Sequence, residues 1–403
     1  MLRCAGLCTC EVDDVELALS QIQTQLSEKI ELLENTVGVI VCHMEFVDSG
    51  ALRHVAENLP FDVAGITTTA QAVNDALGEM MLSVFVMTSD TVRFKAGMAE
   101  SVAEDIEGPL RAAVDRAGEG EASAETGLVL AFPPMHPGKY GDLFADAWGK
   151  ILPGVPVFGS LSVNDYPDLS GGKSIFRGEA LSAGHSFILC YGDVNPRFLI
   201  ATLPSDDRVS HKGEITRSTA NVVHEINGRS AREYLKGVGF TGVGFSTEEE
   251  TSSGSFWFIP FLVNQRCSSD YDGVPVVRGL DTITKEGSAI FGGRMDEGAV
   301  FTLMSMTTED VGNETATKLQ SVRDMPSARG GIVNGVLAFS CVVRHMIFMH
   351  KKNRLGELDR AKEALADAPF MVGYAGGELC PTSAKEGAHV NRYHEYSLVA
   401  LVL

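Results

Sequence analysis

Two charged residues near the end of the chain, Arg344 and Glu378, have the types and neighbours of a ligand clamp. Glu378 follows Gly376 and Gly377 in "GYAGGELCPTS" (373–383), where the glycines let the backbone approach a bound molecule and the carboxylate can accept from an ammonium group. Arg344, in "GVLAFSCVVRH" (335–345), can hold a carboxylate through two parallel hydrogen bonds. The pair suits an amino acid; the plainer reading is that the two charges simply pair with each other. Tyr374, Cys341 and His394 fall beside them. Thr67 and Thr68, with Thr69, read as an anion cradle at a strand-to-helix junction or as an ordinary N-cap, and Ser160 sits at an equivalent strand end.

Two other chemistries compete. Cys341, His345 and Glu378 could form a thiol nucleophile, base and orienting carboxylate, but a reactive thiolate needs an exposed electropositive setting and Cys341 ends an apolar strand. The sequence contains no G-x-S-x-G, P-loop, H-E-x-x-H or dinucleotide fingerprint; the glycine-rich "GVGFTGVGFS" (237–246) runs into "TEEE", which repels phosphate. We therefore expect no catalytic residues and a protein that is not an enzyme. Haem could be held by His136, His345 or His394, since a proximal ligand needs one histidine, although no C-x-x-C-H is present. Otherwise no cofactor and no metal site are expected: Cys4, Cys8 and Cys10 lack a fourth ligand and read as a frayed terminus.

These residues need elements to position them. Three segments share one plan, an apolar strand opened by glycine, a helical stretch, then a proline-led strand ending near glycine. They are "GVIVCHMEF" (38–46) with 59–71, "GLVLAFPPMHPG" (127–138) with 152–165, and 335–345 with 368–381. Strand, helix and strand in alternation argue for parallel pairing through right-handed crossovers, and other strands that follow directly make each sheet mixed. In such sheets ligands collect beyond the carboxyl ends of the parallel strands. The segments 172–193 and 287–306 both carry an x-Ile-Phe-x-Gly strand, so the chain reads as two related halves.

The expected fold is therefore α/β: two related layered domains with mixed sheets of repeated β-α-β units plus antiparallel strands. Residues 1–36 form an N-terminal segment with an amphipathic helix (Val15, Leu19, Ile22, Leu26, Ile30, Leu33), followed by domains at 37–205 and 206–403. That helix packs on its own chain or on a second copy, so a homo-oligomer is compatible with it. A chain of 403 residues exceeds the usual size of one core. A net charge of −20 excludes nucleic acid and anionic membrane surfaces as partners. No secretory signal and no long apolar window are visible, which points to the cytoplasm.

In their order along the chain, "GITTTA" (65–70), "VFGSLSVND" (157–165), "VVHEINGRSAREYL" (222–235), "GVLAFSCVVR" and the closing "GYAGGELCP" to "YHEYSLVALVL" resemble the FIST proteins, with an N-terminal and a C-terminal FIST domain over roughly 37–403. The resemblance implies a cytoplasmic sensory module of signal transduction. It would bind a small polar ligand, an amino acid or derivative, and signal through a separate protein because the chain has no room for an output domain. Some members of that family bind haem. Two departures stand out: Val342-Val343 where the family often has x-Gly before Arg344, and Tyr393-His394-Glu395 where it often has Leu-His-Asn.

Overall fold

The structure is a computed structural model that describes residues 1–119, 126–135, 139–165, 169–202, 211–239, 260–264, 276–304, 307–322, 333–349, 351–383 and 389–403. Along the chain the first stretch contributes β1 (Leu2–Thr9), α1 (Val15–Lys29), β2 (Asn35–Cys42), α2 (Glu45–Asp48), α3 (Ala51–Glu57), β3 (Asp62–Thr67), β4 (Gln71–Val73), β5 (Ala76–Gly78) and β6 (Leu82–Ser89). The second holds β7 (Arg93–Ala99), α4 (Glu107–Ala117), β8 (Thr126–Phe132), α5 (Gly141–Ile151), β9 (Val157–Ser160), β10 (Ser174–Phe176), β11 (Glu179–Leu181) and β12 (His185–Tyr191). After β13 (Arg197–Ala201) come β14 (Lys212–Thr219), β15 (Val222–Ile226), β16 (Arg229–Ser230), α6 (Ala231–Gly237), β17 (Pro260–Asn264), β18 (Val276–Ile283), β19 (Ala289–Phe291) and β20 (Val300–Leu303). The last stretch has α7 (Thr308–Gln320), β21 (Val336–Cys341), α8 (Val342–Met346), α9 (Gly356–Ala364), β22 (Phe370–Ala375), β23 (Glu378–Ser383), β24 (His389–His394) and β25 (Leu398–Val402).

The fold is α/β with mixed sheets built from repeated β-α-β units and added antiparallel strands. The three sequence repeats become three parallel pairs, β2 with β3, β8 with β9 and β21 with β22. Each pair sits in a six-stranded sheet of one plan: β1-β6-β2-β3-β10-β11, β7-β12-β8-β9-β23-β24 and β13-β25-β21-β22-β4-β5. The kinship therefore runs among three copies, and not between 172–193 and 287–306: the latter segment supplies β19 and β20 to a separate sheet. Each copy gives its hairpin away. The β4–β5 hairpin of the first joins the third, β10–β11 of the second joins the first, and β23–β24 of the third joins the second.

The inner faces of the three sheets meet in one apolar core, with Val39, Val41 and Phe85 from the first copy, Leu130, Phe132 and Phe158 from the second, and Leu337, Phe339 and Leu401 from the third. Phe339 packs edge-on to Phe132 at 6.2 Å between ring centroids. Helices cover the outer faces, α1 and α3 on the first sheet, α4 and α5 on the second, α7 and α9 on the third. Helix α1 is the expected amphipathic helix over Val15 to Leu26, while Ile30 and Leu33 of the expected face lie beyond its end: Asp14 caps it by accepting from Leu17 N–H, and Ala18, Leu19, Ile22 and Leu26 are buried against its own chain. The N-terminus is not frayed. Strand β1 pairs with β6 over its whole length, which places Cys4 in the central core while Cys10 stays exposed.

Between β13 and α7 the chain makes a second body. Strands β14, β20, β17, β18, β19 and β15 pair antiparallel in that order, and β14 pairs back to β15, closing a small barrel with β16 outside it. Its interior holds Ile215, Val223, Leu280, Phe291 and Phe301. The β15–β16 turn is the expected Asn-Gly turn, with Asn227 and Gly228 both at positive φ.

Strand crossings in the parallel pairs are close. A Cβ on Gly65 would lie 1.7 Å from the Ile40 carbonyl oxygen, and one on the equivalent Gly159 would lie 1.8 Å from that of Ala131, whereas at Gly373 the nearest atom is Thr68 Cγ2 at 3.3 Å. Gly65→Ala and Gly159→Ala should each cost about 2 kcal/mol or more in urea unfolding, because backbone must move, while Gly373→Ala should stay within about 1 kcal/mol. Equal effects at all three positions would refute this account of the copies.

Candidate functional site

The carboxyl ends of the parallel strands, where a crevice was expected, are largely closed by the copies themselves. Val163 N–H donates to the Thr67 carbonyl at 3.1 Å, Gly376 N–H to Leu161 at 2.8 Å and Thr69 N–H to Tyr374 at 3.3 Å, tying second to first, third to second and first to third. What remains is a cavity of about 640 Å³ where the barrel rests on the strand ends of the second and third copies. Met135 and Leu161 line it from the second copy, Cys341, Val342, Val343 and Gly376 from the third. Asn221, Val222, Gly279, Asp281, Ile290 and Phe291 line it from the barrel. Tyr140, Tyr393, Glu395 and Tyr396 complete the wall.

Of the residues singled out in the sequence, Cys341 and Gly376 reach this cavity; Arg344, Glu378, Gly377, Tyr374, His394, Thr67, Thr68 and Ser160 do not line it. Arg344 is neither a ligand clamp nor the partner of Glu378. Its guanidinium has no solvent exposure and binds Glu357, Nη2 to Oε1 at 2.7 Å and Nε to the same oxygen at 2.9 Å. Nη2 also donates to Thr315 Oγ1 and Nη1 to the Tyr396 carbonyl at 3.0 Å. Glu357 further accepts from the Thr315 and Ser340 hydroxyls. The group ties α7, α8, α9 and β21 together and holds Tyr396 in the cavity wall.

The threonine run is not an anion cradle, since it leads into β4 and not into a helix. Thr67 Oγ1 donates to the Val163 carbonyl and accepts from Lys173 N–H, and Thr68 Oγ1 accepts from Gln71. Ser160 Oγ donates to the Gly377 carbonyl at 2.6 Å. Gly377 has φ 106°, and the space a side chain would need is filled by the Tyr393 hydroxyl. Tyr374 stacks flat on His345 at 4.5 Å. His394 Nε2 meets the Cys380 carbonyl at 3.0 Å, and burial lowers its pKa to about 3. His136 lies outside the described residues. The missing family glycine at Val343 falls inside α8, whose helical backbone any residue adopts.

Glu378 is buried, its carboxyl oxygens reach no hydrogen-bond partner among the described residues, and burial pushes its pKa well above the carboxylate range against the pull of Arg344. Burial likewise raises the Cys341 thiol, and the nearby Glu378 adds to the shift.

The residues that seat the barrel were not legible in the sequence. Arg278 of β18 is completely buried: Nη2 donates to Asp142 Oδ1 at 3.0 Å, Nη1 to the Tyr393 carbonyl at 3.1 Å, and the guanidinium lies 5.6 Å from the centre of the Tyr393 ring. Asp142, in the first turn of α5, also accepts from Arg294 N–H at 2.8 Å. Beside this link Glu395 Oε2 accepts from Gly279 N–H at 3.2 Å, crossing from the wall to the barrel. Burial raises Glu395 to about 7, partly offset by Arg278 and the Gly279 N–H, while Asp142 and Asp281 push the same way as burial. The Tyr393-His394-Glu395 departure from the family pattern was the one signal in the sequence for this wall.

Comparison with known proteins gives the FIST N domain over residues 36–229 and the FIST C domain over 231–381. Among solved structures, a cyanuric acid hydrolase from A. caulinodans matches at 12% identity, covering 48% of this chain and 72% of that one with a TM-score of 0.24, a likeness too slight to carry an argument. A search of curated proteins returns no significant match. No helix among the described residues is long and apolar enough to cross a membrane.

Two measurements follow. Arg344→Met leaves the Glu357 carboxylate buried without its counter-ion and should cost about 3 kcal/mol or more; a variant of unchanged stability would remove the buried pair from this description. Glu395 holds its proton in the folded protein after the unfolded chain has lost its own. Its contribution is therefore complete below pH 4.5 and is lost as pH rises to about 7, a fall on the order of 3 kcal/mol that Glu395→Gln should flatten. Parallel stability–pH curves for the two proteins would contradict this.

Proposed function

Because the chain belongs to the FIST family, whose domains are associated with sensing in signal transduction, we propose that it is a small-ligand sensor whose ligand occupies the cavity under the barrel. The ligand class is an amino acid or an amine derived from one, the setting cytoplasmic, and the signal passes to a separate signalling protein. The single observation that carries this reading is the cavity itself. At about 640 Å³ it falls in the range of small-molecule sites, it is mostly apolar with a few converging polar groups, and its wall spans both family domains.

A ligand there would touch the barrel and the strand ends at once. It would thus favour one seating of the barrel over another, which is the differential affinity that any ligand-driven change requires. The buried Arg278–Asp142 link gives that seating a discrete arrangement.

A binding role is favoured over catalysis by the state of Cys341, where burial and Glu378 both work against the thiolate. His345, the base that a thiol mechanism would use, is stacked on Tyr374 and has its pKa lowered to about 4 by burial. Haem finds less support: neither His345 nor His394 lines the cavity.

The test is a thermal-shift screen against amino acids, amines and small carboxylates. A ligand at a hundred times its dissociation constant should add about 2.7 kcal/mol to stability. Ile290→Trp and Val222→Trp, which fill the cavity from the barrel side, should abolish the shift in folded protein. A hit untouched by both variants would put the ligand elsewhere and end this reading.

A further inference from the structure

We infer that the cavity selects an organic cation, an amine or quaternary ammonium with a compact apolar body and no carboxylate, its charge set against Glu395 and its body among Tyr140, Tyr393, Tyr396 and Phe291. This rests on the reading that the cavity is the ligand site, and it narrows the class that site accepts.

Among the described lining residues of the cavity, carboxylates outnumber cations. Glu395 and Asp281 both line it. The one cationic side chain among its described lining residues, Lys139, directs its ammonium to the Glu104 carbonyl at 3.1 Å. The two buried guanidiniums nearby are committed elsewhere, Arg344 to Glu357 and Arg278 to Asp142 and the Tyr393 carbonyl. A ligand carboxylate would therefore meet two carboxylates, against one ammonium, Lys139, that is already engaged by a backbone carbonyl.

An ammonium group meets the opposite conditions. The Glu395 carboxylate offers about four acceptor positions, and the contact that crosses to the barrel, from Gly279 N–H, occupies one. Gly292, another lining residue, makes the room for it: a Cβ there would come within 1.9 Å of Glu395 Oε1. Aromatic faces attract cations through the ring quadrupole, more strongly in a desolvated site, and among the described residues four aromatic rings line this cavity with Glu395. Met135, Leu161 and Ile290 supply apolar surface for the rest of the molecule. The net charge of −20 favours the approach of cations from solution.

The experiment is isothermal titration of the full chain at pH 8, where Glu395 is ionised, with four probes of one body: phenethylamine, 2-phenylethanol, 3-phenylpropanoate and phenylalanine. Phenethylamine should bind at least about tenfold more tightly than each of the others, the scale of one charge-assisted hydrogen bond. Glu395→Gln, which keeps an acceptor for Gly279 N–H, should lower phenethylamine affinity by about tenfold or more and leave 2-phenylethanol unchanged. Should that variant misfold by circular dichroism, Tyr140→Leu serves in its place and should weaken the amine more than the alcohol. Tighter binding of phenylalanine or phenylpropanoate, or amine affinity indifferent to the variant, overturns the inference while leaving the cavity as a ligand site. Silence from all four probes together with an empty thermal-shift screen overturns both.

Discussion

Three sheets share one apolar core, and none of them can be completed by its own stretch of chain. Each β-α-β unit surrenders a hairpin to another copy and receives one in return, so every sheet is finished only when all three are present. The inner faces are apolar because each looks onto the other two and none onto water. Helix pairs dispose of the outer faces in the same way, which leaves the sheet ends as the places where polar groups and ligands can gather.

That arrangement decides where a site can exist. At the carboxyl ends of the parallel strands the turns of the three copies bond to one another in a closed ring, and the hydroxyls of Thr67 and Ser160 are consumed in it. The threefold plan would leave a plug there. The barrel inserted before α7 breaks the plan, because it covers the strand ends of two copies and so creates an enclosed volume with walls from different parts of the chain.

Buried charge holds the two bodies in register. Arg344 with Glu357 organises the third copy, and through the Tyr396 carbonyl it sets one wall of the cavity. Arg278 with Asp142 seats the barrel, and Glu395 crosses beside it. Such pairs add little net stability compared with apolar packing, but removing one partner strands the other in a low-dielectric interior, so each fixes a single geometry. The cavity accordingly inherits Glu395, while Arg278, the cation that acts on it, is turned to Asp142 and does not line the wall.

Much of the architecture was legible because it follows from local pattern. Apolar runs, glycine and proline punctuation and the order of strand, helix and strand marked the three parallel pairs, the Asn227-Gly228 turn and the amphipathic face of α1. The partners of charged side chains could not be read, since nothing local to Arg344 says that Glu357 lies closer than Glu378, and Asp142 stands far along the chain from Arg278. Hairpin exchange and barrel docking are likewise choices among surfaces that the same alternating strands could satisfy in several ways. The sequence alone determined the elements and the repeat; only tertiary packing decided which carboxylates face the cavity, because that depends on which cations are buried beside them first.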